Sequence, residues 1–133
     1  MKPVVALLLL AARIAPGGEL RQVSIDLDEI REGDLPREIF VIDGSFQVKV
    51  RETGKVIEIS GEQREVEAGA VVGPSTSGAA MIEARILASK AGRSFPRFGV
   101  GLHGQTGYRL YVVPARKELH LVRNGEVIHA APF

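Results

Sequence analysis

Residues 97–114 read RFGVGLHGQTGYRLYVVP. Gly99, Gly101 and Gly104 stand at the G-x-G-x-x-G spacing of dinucleotide-binding folds. Such a site needs a helix opening within the glycines, because a helix N-terminus supplies the free amides and positive dipole that hold a pyrophosphate. After Gly107 comes Tyr108-Arg109-Leu110-Tyr111-Val112-Val113, β-branched and aromatic, closed by Pro114. The glycines are therefore read as part of a strand. Phe98, Val100 and Leu102 point one way, Gly99, Gly101 and His103 point the other, and residues 104–107 make the turn. Glycine within a strand costs entropy and contributes no packing. Either another backbone or a bulky side chain occupies the vacated space, or the bare face forms the floor of a ligand site.

Outward from this stretch the same two-residue period recurs. Val23, Ile25 and Leu27 alternate with Ser24, Asp26 and Asp28, which predicts a half-buried strand. Asp43-Gly44 lies between the apolar runs of EIFVIDGSFQVKV and predicts a hairpin there. GKVIEISG is a further strand, and Ala70–Val72 a brief one. Residues 79–90 allow a helix, but Ile82, Ala84, Ile86 and Ala88 alternate with Glu83, Arg85, Leu87 and Ser89, so a strand is expected. KELHLVR follows the central stretch, and Asn124-Gly125 turns into a last strand. Short strands with frequent turn signals describe an all-β sandwich or barrel of one domain.

Composition narrows the chemistry. With 133 residues there is room for one core. A formal net charge of +1 and no single-sign tract leave no electrostatic footprint for nucleic acid. The absence of cysteine excludes disulfides, thiolate metal sites and a cysteine nucleophile. His103, His120 and His129 fall on different predicted elements, so no metal site is expected. No cofactor is called for.

The N-terminus stands apart. Lys2 precedes an apolar run from Val4 to Ala12, then small residues and Pro16-Gly17-Gly18. The run is too short for a membrane span, which needs ~20 residues, and fits the ~7–15-residue core of a secretory signal. Pro16 would block cleavage after Ala15, and Ala12 is an alternative position. Residues 1–18 are thus expected to be a signal peptide and linker, with residues 19–133 the domain and a periplasmic or secreted location. A buried first strand is the competing reading.

DLPREIFVIDGSFQVKV and GKVIEISG, followed by MIEARILASK, the G-x-G strand and Y-x-L-x-V-x-P, resemble the bacterial concanavalin A-like (laminin-G-like) jelly-roll domains. These include the 3-keto-disaccharide hydrolase-like, glycoside-hydrolase-16-like modules. The resemblance spans Ile25 to Phe133 and implies an antiparallel jelly-roll β-sandwich with a carbohydrate-related role. In relatives the hairpin ending A-x-x-P-F leads into a tryptophan and a G-x-W-x-x-L strand. The resemblance therefore implies a sandwich incomplete at its C-terminus, completed by a missing segment or by partner strands. Relatives often hold calcium, but no Asp/Asn cluster here has the oxygen density for it.

The candidate site follows from the face opposite the apolar alternates: Glu83, Arg85, Gly99, Gly101, His103, Arg109 and Tyr111. Charged groups would bind sugar hydroxyls, and the Tyr111 ring would stack on a sugar's apolar side. Tyr108 falls in with Leu110 and Val112 and is expected in the core. A glycosidase needs two carboxylates at defined separation. Asp26-Leu27-Asp28-Glu29 reads as the polar side of a strand, and only Glu83 is well placed. No catalytic residue is assigned. The expected function is a non-catalytic, lectin-like module that binds a glycan. The alternatives are a fragment of a glycoside or keto-disaccharide hydrolase and an interaction domain without a small ligand.

Overall fold

The computed structural model describes residues 4–9, 24–59, 68–73, 80–90, 92–93 and 95–133. Among them run ten strands: β1 (Val4–Leu9), β2 (Ile39–Asp43), β3 (Phe46–Arg51), β4 (Gly54–Ile59), β5 (Gly69–Val72), β6 (Glu83–Leu87), β7 (Phe98–Leu102), β8 (Tyr108–Val113), β9 (Glu118–Arg123) and β10 (Glu126–Pro132). Helix is confined, among the described residues, to three-residue 3-10 turns at Leu27–Glu29 and Gly104–Thr106. All pairings are antiparallel. The protein is all-β.

The first sheet has four strands in the order β3-β4-β1-β6. Phe46, Val48 and Ile57 lie on one face because β3 and β4 fold back over Glu52-Thr53, putting Val48 opposite Ile57 and Phe46 opposite Ile59. β1 lies between β4 and β6, with Ala6 opposite both Ile57 and Ile86. The apolar run with the character of an export signal thus supplies a central strand, while residues 10–18 fall outside the described region. β6 is a strand rather than a helix: Ala84 and Ile86 are half-buried, and Glu83, Arg85 and Leu87 are exposed.

A core of Ile39, Val48 and Ile57 forms where β2, β3 and β4 meet, with Ile25, Leu27, Ile30, Leu35, Phe46, Ala70 and Val72 packed around it. Val48 is completely buried. Lys55 ties the preceding segment down, its Nζ donating to the carbonyls of Asp28 and Ile30 at 2.7 Å each. Backbone bonds from Gly33 N to Val48 O and from Val48 N to Asp34 O occupy the outer edge of β3.

Two sequence expectations are corrected here. Residues 24–27 are not a strand, because the Asp26 side chain accepts from Asp28 N at 2.9 Å and opens a 3-10 turn. A short acceptor side chain of this kind competes with the sheet ladder for the local backbone. Nor does Asp43-Gly44 close a hairpin. β2 pairs with β5 in a two-stranded ribbon, β3 pairs with β4, and the dipeptide turns the chain between them. Gly44 has φ +86, and the Asp43 side chain accepts from its amide.

The C-terminal sheet is a four-stranded meander in the order β10-β9-β8-β7. Its last hairpin matches the sequence reading: Asn124 (φ 50) and Gly125 (φ 81) both take positive φ, as a two-residue type I′ turn requires. Among the described residues no helix is long and apolar enough to cross a membrane.

Candidate functional site

Register fixes the two faces of the meander. Phe98 lies opposite Val112, Val100 opposite Leu110 and Leu102 opposite Tyr108, and Leu110 and Val112 lie opposite Leu121 and Leu119. This is the apolar face. On the other, Gly99 lies opposite Tyr111 and Gly101 opposite Arg109, while Tyr111, Arg109 and Val113 lie opposite His120, Val122 and Glu118. Gly99, Gly101, Arg109 and Tyr111 therefore share one surface.

That surface carries a connected set of polar groups. The Arg97 guanidinium sits over the Tyr111 ring, 4.3 Å from its centroid. Gly99, directly opposite Tyr111, adds no side chain to this side of the sheet. Arg109 Nη1 donates to the Tyr111 hydroxyl at 3.4 Å, a long bond. His120 Nε2 lies 2.7 Å from Glu118 Oε2. A carboxylate only accepts, so the imidazole carries its proton on Nε2 and donates to Glu118. His120 is 8% exposed and Val122 6%, whereas Tyr108 and Leu110 on the apolar face are 41% and 43% exposed. Among the described residues, burial in the meander is thus confined to His120 and Val122 of its inner strand β9, while Gly99 and Gly101 are exposed and Arg109 and Tyr111 half-buried on the same face.

The glycines have a local cause. A Cβ on Gly99 would run into the carbonyl oxygen of Leu110 and stand 2.9 Å from Tyr111 Cα. On Gly101 it would meet Tyr108 O at 2.9 Å and Arg109 Cγ at 3.0 Å. The space where side chains would start is filled by β8 itself.

The remaining expected site residues lie elsewhere. Glu83 and Arg85 belong to β6, in the other four-stranded sheet. They alternate with half-buried residues as expected, but strand pairing gives them different neighbours. β7 ends at Leu102, and His103 takes a left-handed backbone (φ 63) at the start of the 3-10 turn. The alternation that would have aligned His103 with Gly99 and Gly101 stops one residue short of it. Tyr108 is not in the core, and the Arg123 guanidinium lies 5.0 Å from its ring centroid.

Arg97, Glu118 and His120 were not among the expected site residues. A signal for the last two was present: Glu118 and His120 alternate in KELHLVR, and the turn over Pro114–Lys117 brings Val113 opposite Glu118, hence Tyr111 opposite His120. Across the sheet, Met81 and Ile82 join Val100, Leu110 and Leu121 around an open apolar recess of about 260 Å³.

Chemically the polar face offers guanidinium donors, one phenol ring and an imidazole–carboxylate pair. Among the described residues no group of three or more His, Asp or Glu could hold a metal ion. No protein family, curated protein or solved structure matches the chain in comparisons of sequence and fold.

Proposed function

We propose that the protein is a non-catalytic carbohydrate-binding module, an antiparallel β-sandwich of the jelly-roll, concanavalin A-like kind, whose meander presents its polar face to a glycan. The observation that carries this reading is the convergence of Arg97, Arg109, Tyr111, Glu118 and His120 on one side of one sheet. Guanidinium groups bond to hydroxyls, and a phenol ring takes the apolar side of a pyranose, while the buried His120 orients Glu118 beside them. Glu118, the one carboxylate in this set, is engaged by His120, which favours binding over hydrolysis, since hydrolysis uses a pair of carboxylates.

Calorimetric titration with a panel of neutral and acidic oligosaccharides tests the proposal. Tyr111→Ala should weaken binding about tenfold, the equivalent of ~1.4 kcal/mol. Tyr108→Ala, on the opposite face, should leave it unchanged. Equal affinity of Tyr111→Ala and wild type would end the assignment.

A second reading, an interaction domain with no small ligand, is favoured by the glycine geometry, because β8 itself accounts for Gly99 and Gly101 without a ligand floor. Absence of binding across the panel would leave this reading in place.

Export belongs to the proposal, on the strength of Lys2 and the apolar run after it. The place of β1 between β4 and β6 favours retention of that run. The two exclude each other in a mature chain. N-terminal sequencing of the protein from its native source is expected to begin beyond Ala12, and a sequence beginning at the first residues would remove export by this segment.

A further inference from the structure

The two edges of the meander are finished differently. β10, on one side, carries a register shift between Val127 and His129 and ends in Pro132. Phe133 N bonds inward to Lys117 O, so by alternation Pro132 stands where a backbone amide would face outward, and as proline it has none. Bulges and prolines are the devices that keep an edge from pairing with another chain. In the first sheet, the β3 edge is engaged through Val48 by residues 33 and 34, and β6 shows exposed Glu83 and Arg85.

β7 has none of this. Phe98-Gly99-Val100-Gly101-Leu102 contains no charge and no proline, its register with β8 is unbroken, and among the described residues it pairs with β8 alone. It also reads the same in pattern from either end: large, glycine, large, glycine, large. In an antiparallel pair related by a two-fold axis normal to the sheet, opposed residues must share a face, so the axis passes through a residue. An axis at Val100 uses all five residues of β7. It sets Val100 against Val100 of the second copy, Gly99 against its Gly101 and Phe98 against its Leu102. Apolar then meets apolar and glycine meets glycine. Moving the axis to Gly99 or Gly101 sets glycine against itself and loses the outer pairs.

We infer that β7 is a self-association edge, through which two copies of the chain join antiparallel about Val100 into one continuous eight-stranded sheet. The pairing would carry the apolar face, where Tyr108 and Leu110 stand exposed, across the junction. Five residue pairs bury less than the ~1,200 Å² of a standard stable interface, so the dimer is weak and in exchange with monomer. This inference is independent of the glycan proposal.

Sedimentation of the full chain from about 10 μM to about 1 mM is expected to show reversible dimerisation. Val100→Lys places two ammonium groups opposite each other at the axis and should raise the dissociation constant tenfold or more. Because Val100 is also half-buried, a second measurement on the unmodified protein stands beside that variant. Dilution of 15N-labelled protein should move the amide resonances of residues 98–102 and leave those of 126–132 in place. A chain monomeric throughout the range overturns the inference. So does a dimer whose concentration-dependent amides lie on β10 or on the first sheet.

Discussion

In the first sheet a local hairpin, β3–β4, is joined by distant strands, with β1 hydrogen-bonded to β4 and β6, and in the separate ribbon β2 reaches past β3 and β4 to pair with β5. In the meander, each strand pairs with the next one in sequence. The first region holds the buried apolar cluster of Ile39, Val48 and Ile57, and its buried Glu58 is ion-paired with Arg51. The second, among the described residues, buries Val122 and His120 alone, and large apolar groups stand in solvent in both regions. Long-range pairing must recover the entropy of closing long loops, and burial is what offsets it. Local pairing needs less, so the meander is held by its backbone ladder and turns more than by a core.

This contrast can be broken by substitution. Ile57→Ala removes a 6%-exposed side chain at the centre of the core. It should cost about 3 kcal/mol in urea-induced unfolding, within the usual range for such truncations. Gly99→Ala drives a methyl group into the β8 carbonyl at Leu110. The cost should be smaller, about 2 kcal/mol, because β7 is an edge strand that can shift. If Gly99→Ala proved as damaging as Ile57→Ala, stability would not be concentrated in the first region and the comparison would fail.

The same division governs what could be read in advance. Asn124-Gly125 was legible as a hairpin because β10 follows β9 directly across the two-residue turn and pairs with it. Asp43-Gly44 carries an equally strong turn signal and has the positive φ such turns use, yet it joins two sheets. Which strand β2 would choose depended on β5, and no local property of residues 39–51 contains that choice. The alternation over residues 82–89 was enough to identify β6 as a strand, and enough to place Glu83 and Arg85 on its exposed side. It was not enough to say which sheet they would join.

The candidate site divides in the same way. Gly99, Gly101, Arg109 and Tyr111 come from one hairpin, whose register follows from a short connection, and they assemble as the alternation implies. Glu118 and His120 were within reach of the same argument one hairpin later. His103 failed for a reason of backbone geometry: a single residue in the left-handed region ends the strand and turns its side chain out of the pattern.

β8 has an optical consequence. The chain contains no tryptophan and two tyrosines, Tyr108 and Tyr111, which lie on opposite faces of this one strand, each beneath a guanidinium. Nearly all of the protein's near-ultraviolet absorption and intrinsic emission therefore originates within β8, with one chromophore looking toward the polar surface and the other toward the apolar one. The light reports on the meander from both sides and is blind to the first sheet, so disruption there that leaves β8 paired would pass without a signal.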